Sequence, residues 1–204
     1  MNQLLNRTID HLKQNGFSVI EAKTAAEACA LITEAIPTGA HVGVGGSVSV
    51  RETGVLEELS RKGCVIHSHW GASPEEMPAI LRQAREADVY LCSANALTST
   101  GKLVFIDGRG NRVGAICDGP HDVYFVVSHS KIVDGGLEAA IARVKQVACP
   151  QNARRLGLNT PCVLTGSCHV TECEKTSCCM TLVLDHAPHI RTMTVVLVEE
   201  KLGY

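Results

Sequence analysis

His41-Val-Gly-Val-Gly-Gly-Ser-Val-Ser-Val-Arg-Glu52 reads as a short buried strand that runs into a glycine turn and then into a helix. The apolar run at the start is too short for a helix and ends at paired glycines, which suits a strand entering a tight loop. Ser49 followed by Glu52 forms a capping box ahead of Val55, Leu56 and Leu59, whose spacing is helical. Strand, loop and helix in that order form the repeating unit of a parallel sheet.

The same alternation extends in both directions. Upstream, Leu4, Leu5, Ile9 and Leu12 mark a first helix stopped at Asn15-Gly16, and a strand over 17–20 follows. Thr24 and Glu27 then cap a helix with Ala28, Leu31, Ile32 and Ala35 on one face. Downstream, strands are expected at 64–67, 88–93, 123–127 and 194–198. Helices are expected from Ser73-Pro74, with Met77, Ile80, Leu81 and Ala84 inward, and over 137–147, ending before Pro150. Asp107-Gly-Arg-Gly110 between Leu103–Ile106 and Val113–Ile116 signals a hairpin. The expected fold is α/β: a mainly parallel sheet with helices on both faces and an antiparallel hairpin near 103–116. Residues 1–204 read as one domain, with an N-terminal helical segment (1–36) and a cysteine-rich C-terminal segment (160–180). Ligands of such sheets bind beyond the carboxyl ends of the strands. The loops 45–52, 67–73, 94–101 and 128–135 are therefore the expected site walls.

Composition removes several classes of function. The 204 residues carry a net charge of −2, with 3% aromatic residues. A nucleic-acid ligand would call for a basic footprint or stacking rings, and neither is present. No apolar run reaches the roughly 20 residues of a bilayer span, and the first residues lack the charged-then-apolar pattern of an export signal. The expectation is a cytoplasmic protein with no nucleic-acid or membrane partner.

Small residues at Gly45, Gly46, Ser47 and Ser49 let a backbone approach a ligand closely, and amides at a helix start favour an anion. Ser47 has no capping duty in this reading and is the better hydroxyl ligand. Ser49 and Glu52 divide between capping and function, and Glu52 is the first candidate for a catalytic base. After the strand at 88–93, Asn95 and Thr98 offer groups that both donate and accept. Asp107, Asn111 and Arg112 are candidates at the turn, where turn chemistry alone is the competing explanation. Lys131 would bring a positive charge to the same sheet edge. His67, His69 and His121 read as ordinary polar loop histidines.

Of ten cysteines, Cys29, Cys64, Cys92, Cys117 and Cys149 are scattered, and Cys162, Cys168, Cys173, Cys178 and Cys179 cluster. Several of the first group sit among apolar neighbours, as buried reduced cysteines do. Four thiolates from the second group would complete a zinc site or hold an iron–sulfur cluster. Free thiols or a reversible disulfide are the alternatives.

Taken in order, the segments 42–54, 94–101, 107–113, Gly119-Pro120, Lys131-Ile-Val133, 150–156, Thr160-Pro-Cys162 and Leu202-Gly-Tyr204 resemble the LUD-domain (lactate-utilisation) family across nearly the full chain. The resemblance implies the fold of the NagB/RpiA/CoA-transferase group. It also implies a glycine/serine loop similar to the phosphate loop of ribose-5-phosphate isomerases. Relatives of this kind commonly end in a four-cysteine segment with a Cys-x-x-Cys core. Thr171 stands where the second cysteine of that core is expected, and Cys173 with Cys178-Cys179 would have to compensate. The implied function is binding or conversion of a small anionic metabolite (a hydroxy or keto acid, a phosphate or a CoA-type ligand), with a cysteine-bound metal or iron–sulfur cluster. The alternative is a non-catalytic redox-sensing or accessory protein for an iron–sulfur oxidoreductase partner. The apolar last strand makes a homodimer a further partnership to consider.

Overall fold

The computed structural model describes residues 2–168, 173 and 176–204. Helix α1 (Asn2–Gln14) leads into β1 (Ser18–Ala22), α2 (Ala25–Ala35) and β2 (His41–Val44). Thr24 accepts from the Glu27 amide at the start of α2, and the Glu27 carboxylate accepts in return from the Lys23 amide, so the first capping box forms. After β2 come α3 (Val48–Glu52), α4 (Val55–Arg61), β3 (Val65–Ser68), α5 (Met77–Arg85) and β4 (Val89–Cys92). Then follow β5 (Ala96–Thr98), β6 (Leu103–Asp107), α6 (Asn111–Asp118), β7 (Asp122–Ser128) and β8 (Ile132–Val133). The chain closes with α7 (Leu137–Arg143), α8 (Cys149–Arg155), α9 (Pro161–Thr165), β9 (Met180–Leu184) and β10 (Thr192–Val198).

Among the described residues, six strands in the order β1-β10-β7-β4-β2-β3 form an all-parallel sheet. Its central strands alternate between two cores. On one face Tyr90, Cys92, Val123, Phe125, Met193 and Val195 pack with Ile9 and Leu12 of α1 and Ala115 and Ile116 of α6. On the other, Val89, Leu91, Val126, Val196 and Val198 pack with Ile32 of α2, Val50 of α3 and Leu59 of α4. Burial on both faces explains why these strands read as continuous apolar runs. Strand β10 is paired on both sides, with β1 and β7. Its apolar side chains therefore belong to the core, and it offers no edge to a second copy.

A second sheet, β8-β5-β6-β9, holds the antiparallel pairings, β5 with β6 and β6 with β9. The antiparallel excursion thus exists around Leu103–Asp107, but the residues 113–116 expected to complete it are helical. The Asp107 carboxylate accepts from the amide of Val113 at 3.0 Å, and Gly110 adopts φ 78° at the helix start. Asp-Gly-Arg-Gly is therefore a strand-to-helix turn, the carboxylate binding a free amide of the first helical turn. Residues 96–98, expected to be loop, form β5. Pro150 does not end its helix, because a π-helical turn over Val144–Ala148 joins α7 to α8 and places Pro150 at the start of α8. No described helix is long and apolar enough to cross a membrane.

Candidate functional site

All five strands β2, β3, β4, β7 and β10 deliver their carboxyl ends to one cavity of about 700 Å³. From β2 come Gly46, Ser47 and Ser49, from β3 His69 and Trp70, and from β4 Asn95. Lys131 follows β7, and Gly203 and Tyr204 follow β10. The small sheet and α6 add Asp107, Arg109, Asn111 and Arg112, and α8 adds Asn152 and Arg155. Each of the four expected loops contributes.

Lys131 lies at the floor, 3% exposed. Its Nζ donates to Ser49 Oγ at 2.8 Å, Ser93 Oγ at 2.9 Å and the Ala94 carbonyl at 3.3 Å. All three acceptors are uncharged. Burial, reinforced by the Arg143 and Arg112 guanidinium groups and opposed by Glu52 and Cys92, brings its ammonium down to about 7. An unfolded chain would hold that proton up to the ordinary lysine value near 10.5. Between these two values the unfolded state binds more protons, so stability is expected to rise with pH from about 7 to about 10.5. Urea titrations across that range should show this contribution, and it should vanish in a Lys131→Met variant.

Arg112 is a clasp of the cavity wall. Nε and Nη2 donate to Asp107 Oδ1 at 2.9 and 2.6 Å, Nη1 to the Ser93 carbonyl at 2.9 Å, and Nη2 also to the Ile106 carbonyl at 3.0 Å. Asn95 Oδ1 accepts from Arg112 and from the Ile106 amide, which leaves its Nδ2 amide as the group available to a ligand. Arg112 and Asp107 satisfy one another, and the side-chain carboxylate of Asp107 also holds α6.

Several expected roles are reassigned by the geometry. Ser47, not Ser49, is the cap of α3, accepting from the Val50 amide at 3.2 Å. Ser49 lies inside the helix, where its hydroxyl accepts from Lys131 Nζ. Glu52 lies outside the cavity lining, where its carboxylate accepts from the Gly203 amide at 2.6 Å, so it is placed as an anchor for the C-terminal segment rather than as a base facing a ligand. Gly45 is also outside the lining. Its amide donates to Leu91, and a Cβ there would stand 3.1 Å from both Cys92 Cβ and Tyr90 Oη. Thr98 turns away, bonded to Thr100 Oγ1 and accepting from the Lys102 amide.

Other residues enter the cavity without having been singled out. The Trp70 ring carries the guanidinium carbons of Arg51 and Arg155 at 4.2 and 4.5 Å from its centroid, a cation–π arrangement. Arg155 also donates to Tyr204 Oη at 2.9 Å. His69 has a buried Nδ1 without a partner among the described residues. Burial, Arg109 and Arg155 all lower its pKa, which favours the neutral ring. Its neighbour in the His-x-His pair, His67, stacks on His41 instead. Strand-end position is the signal that separates His69 from His67.

The cysteines distribute differently from their sequence order. Cys149, from the scattered group, lines the cavity and hydrogen-bonds with Cys178. Accepting that bond lowers the Cys178 pKa, and donating it raises that of Cys149. Cys162 bonds with Thr160 Oγ1 at 3.2 Å, and Cys179 with the Thr176 carbonyl at 3.5 Å. The backbone carbonyl of Cys168 accepts from Gln146. Among the described residues no group of three or more His, Cys, Asp or Glu is placed to hold a metal ion. Four of Cys162, Cys168, Cys173, Cys178 and Cys179 are the expected metal ligands, and the segment that carries them includes residues outside the described ones. Thr171 and its neighbours at 169–172, with 174–175, lie outside the described residues.

Comparison with known proteins bears on the whole chain. The model of the LUD domain family matches residues 5–198. A solved structure of a DUF162 family protein from Deinococcus radiodurans superimposes with a TM-score of 0.55 at 17% identity, covering 97% of each chain. At that identity the likeness speaks for the fold. No curated protein matches the chain in sequence.

Proposed function

The chain belongs to the LUD-domain family, which is linked to lactate utilisation, and on that premise we propose that it binds a small anionic metabolite of organic-acid metabolism in the strand-end cavity. The observation that carries this reading is the charge of the lining. Arg109 and Arg155 bring unpaired positive charge and Lys131 an amine that is charged below about pH 7, while the one carboxylate of the lining side chains, Asp107, is already engaged by Arg112. Positive charge in a concave, partly dry site raises the local concentration of anions and holds them more strongly than an exposed surface would. Arg109 and Arg155 are the anion anchors, with the Asn95 amide and the small residues at Gly46 and Ser47 completing the polar contacts. The ligand is a hydroxy or keto acid, a phosphate or a CoA-type molecule.

Calorimetric titration with L-lactate, pyruvate, ribose 5-phosphate and acetyl-CoA tests it. Saturable binding of at least one is expected, weakened roughly tenfold to a hundredfold in Arg155→Met, the loss of one charge-assisted hydrogen bond. Absence of binding by all four would remove the reading.

The Cys149–Cys178 contact favours a second reading, a redox-responsive accessory protein for an iron–sulfur oxidoreductase partner. Of the two thiols, Cys178 is the one held towards the thiolate and so the more reactive towards oxidants. Iodoacetamide at neutral pH is expected to alkylate Cys178 ahead of Cys149, read by peptide mass mapping. Equal labelling of the two would count against this second reading.

A further inference from the structure

Lys131 is attached to the end of β7 by a single 3-10 turn, His129–Lys131, capped by Ser128, whose side chain accepts from the Ser130 amide. Arg143 fixes the same turn by donating to the Ser130 carbonyl. The amine is therefore held on a rigid element. A lysine at this depth ordinarily meets a carboxylate, yet this one meets two hydroxyls and a carbonyl oxygen. Its surroundings are those of a reactive amine: desolvated, near other cations, and in a cavity suited to anions. The approach to Nζ is kept open by Gly203. A Cβ at that position would press on Ser49 Oγ and stand 3.3 Å from Nζ.

We propose that Lys131 is a nucleophile that condenses with the carbonyl of a 2-oxo acid to form an imine, with Ser49 and Ser93 carrying the protons. The proposal rests on the anion-binding reading and adds to it a reacting residue and a substrate class. The carboxylate of the acid lies on the Arg109 and Arg155 side of the cavity, which leaves the adjacent carbonyl for the floor. The neutral Nζ attacks the carbonyl carbon, forming the C–N bond as the C–O π bond breaks and the oxygen takes a proton. That oxygen then leaves as water, nitrogen gives up its remaining proton, and the C=N bond forms. No oxidant or reductant is consumed. Ser49 and Ser93, both in hydrogen-bond contact with Nζ, are placed to pass the protons between nitrogen and oxygen. A hydroxy acid has no keto or aldehyde carbonyl and occupies the same cavity without reacting.

Ser49 of α3 and Ser93 at the end of β4 contact the amine, and Arg143 of α7, Arg112 of α6, Glu52 of α3 and Cys92 of β4 act on it through their charges. The Cys92 thiol is pushed up to about 12 by burial and stays protonated. Below pH 9 Cys92 therefore adds no titration of its own beside that of Lys131.

The test is borohydride trapping on the full chain with pyruvate, glyoxylate and 2-oxoglutarate, followed by intact mass and peptide mapping, with L-lactate as the matched acid. Borohydride reduces the C=N bond to a stable secondary amine. The expected result is one adduct, on Lys131, absent with lactate and in Lys131→Arg, formed faster as pH rises through about 7 and levelling above it. Lysines in ordinary aqueous surroundings would instead continue to gain reactivity towards roughly pH 10. Calorimetric binding of any of the 2-oxo acids without an adduct at Lys131 would overturn the imine and leave the anion site standing. Adducts only on exposed lysines, with no binding of the 2-oxo acids, would overturn the imine, and the anion site falls with it only if L-lactate, ribose 5-phosphate and acetyl-CoA also fail to bind.

Discussion

An Arg112→Ala variant is expected to lose about 3–5 kcal/mol of folding stability, the usual cost of stranding one member of a buried ion pair. Asp107 and Arg112 have side chains 8% and 10% exposed, so little bulk water screens the pair. The guanidinium also serves the carbonyls of Ser93 and Ile106 and Asn95 Oδ1, joining β4, β6 and α6 at one point. Lysine keeps the charge but not the planar fork. Arg112→Lys is therefore expected to cost about 2 kcal/mol or more, roughly one charged hydrogen bond. Urea denaturation monitored by far-UV circular dichroism measures both. A loss below about 1 kcal/mol in the alanine variant, the range of exposed ion pairs, would mean that the clasp does not form. Because Asp107 Oδ2 also holds the Val113 amide, the variant should loosen the start of α6, visible as faster amide exchange there.

This clasp shows where sequence reading succeeds and where it stops. Asn95 is visible in the sequence as a polar residue beyond a strand end and Asp107 and Arg112 as polar residues of a turn, and periodicity locates β4 and a mainly parallel sheet. What a single chain of letters does not carry is which polar groups spend their hydrogen bonds on one another. Arg112 reads as an anion ligand until its acceptors are known. Ser47 and Ser49 differ by two positions in a five-residue helix, so one caps and the other faces Lys131, and only the helix boundary decides between them. The turn at Asp107-Gly-Arg-Gly is compatible with a hairpin or a helix start, because glycine with positive φ serves both. Arg155 and Tyr204 lie in two of the segments that carry the family resemblance, yet neither segment tells that long-range packing sets Arg155 over Trp70 and Tyr204 against Arg155. Cys149 escaped attention for the same reason: its partner Cys178 lies beyond α9, and sequence proximity grouped the other cysteines instead.

Gly43→Ala is expected to abolish soluble folded protein or to destabilise it by more than about 3 kcal/mol, above the common range for overpacking. Gly43 sits in the middle of β2, paired with His67 of β3 and Tyr90 of β4. Helix α5 crosses that strand so closely that a Cβ on residue 43 would overlap the carbonyl oxygen of Ala84, with Ala84 C and Cα at 2.7 and 2.9 Å. Those are backbone atoms, and no rotamer change can clear them. The backbone angles of Gly43 are not left-handed, so the requirement is space and not conformation. Relief would have to come from lifting α5 off β2 and β3, with Ala84 leaving the core that it shares with Tyr90 and Cys92. The same helix carries Met77 and Leu81 into the cavity wall. A variant that folded by lifting α5 would therefore widen the cavity beside His69 and Trp70 and weaken anion binding as well. Thermal unfolding of Gly43→Ala beside Gly54→Ala checks the argument. Gly54 has open space at its Cβ but φ 73°, so its alanine variant should cost only about 1–2 kcal/mol, the penalty of a left-handed backbone. Equal losses at the two positions would show that α5 does not approach β2 as described.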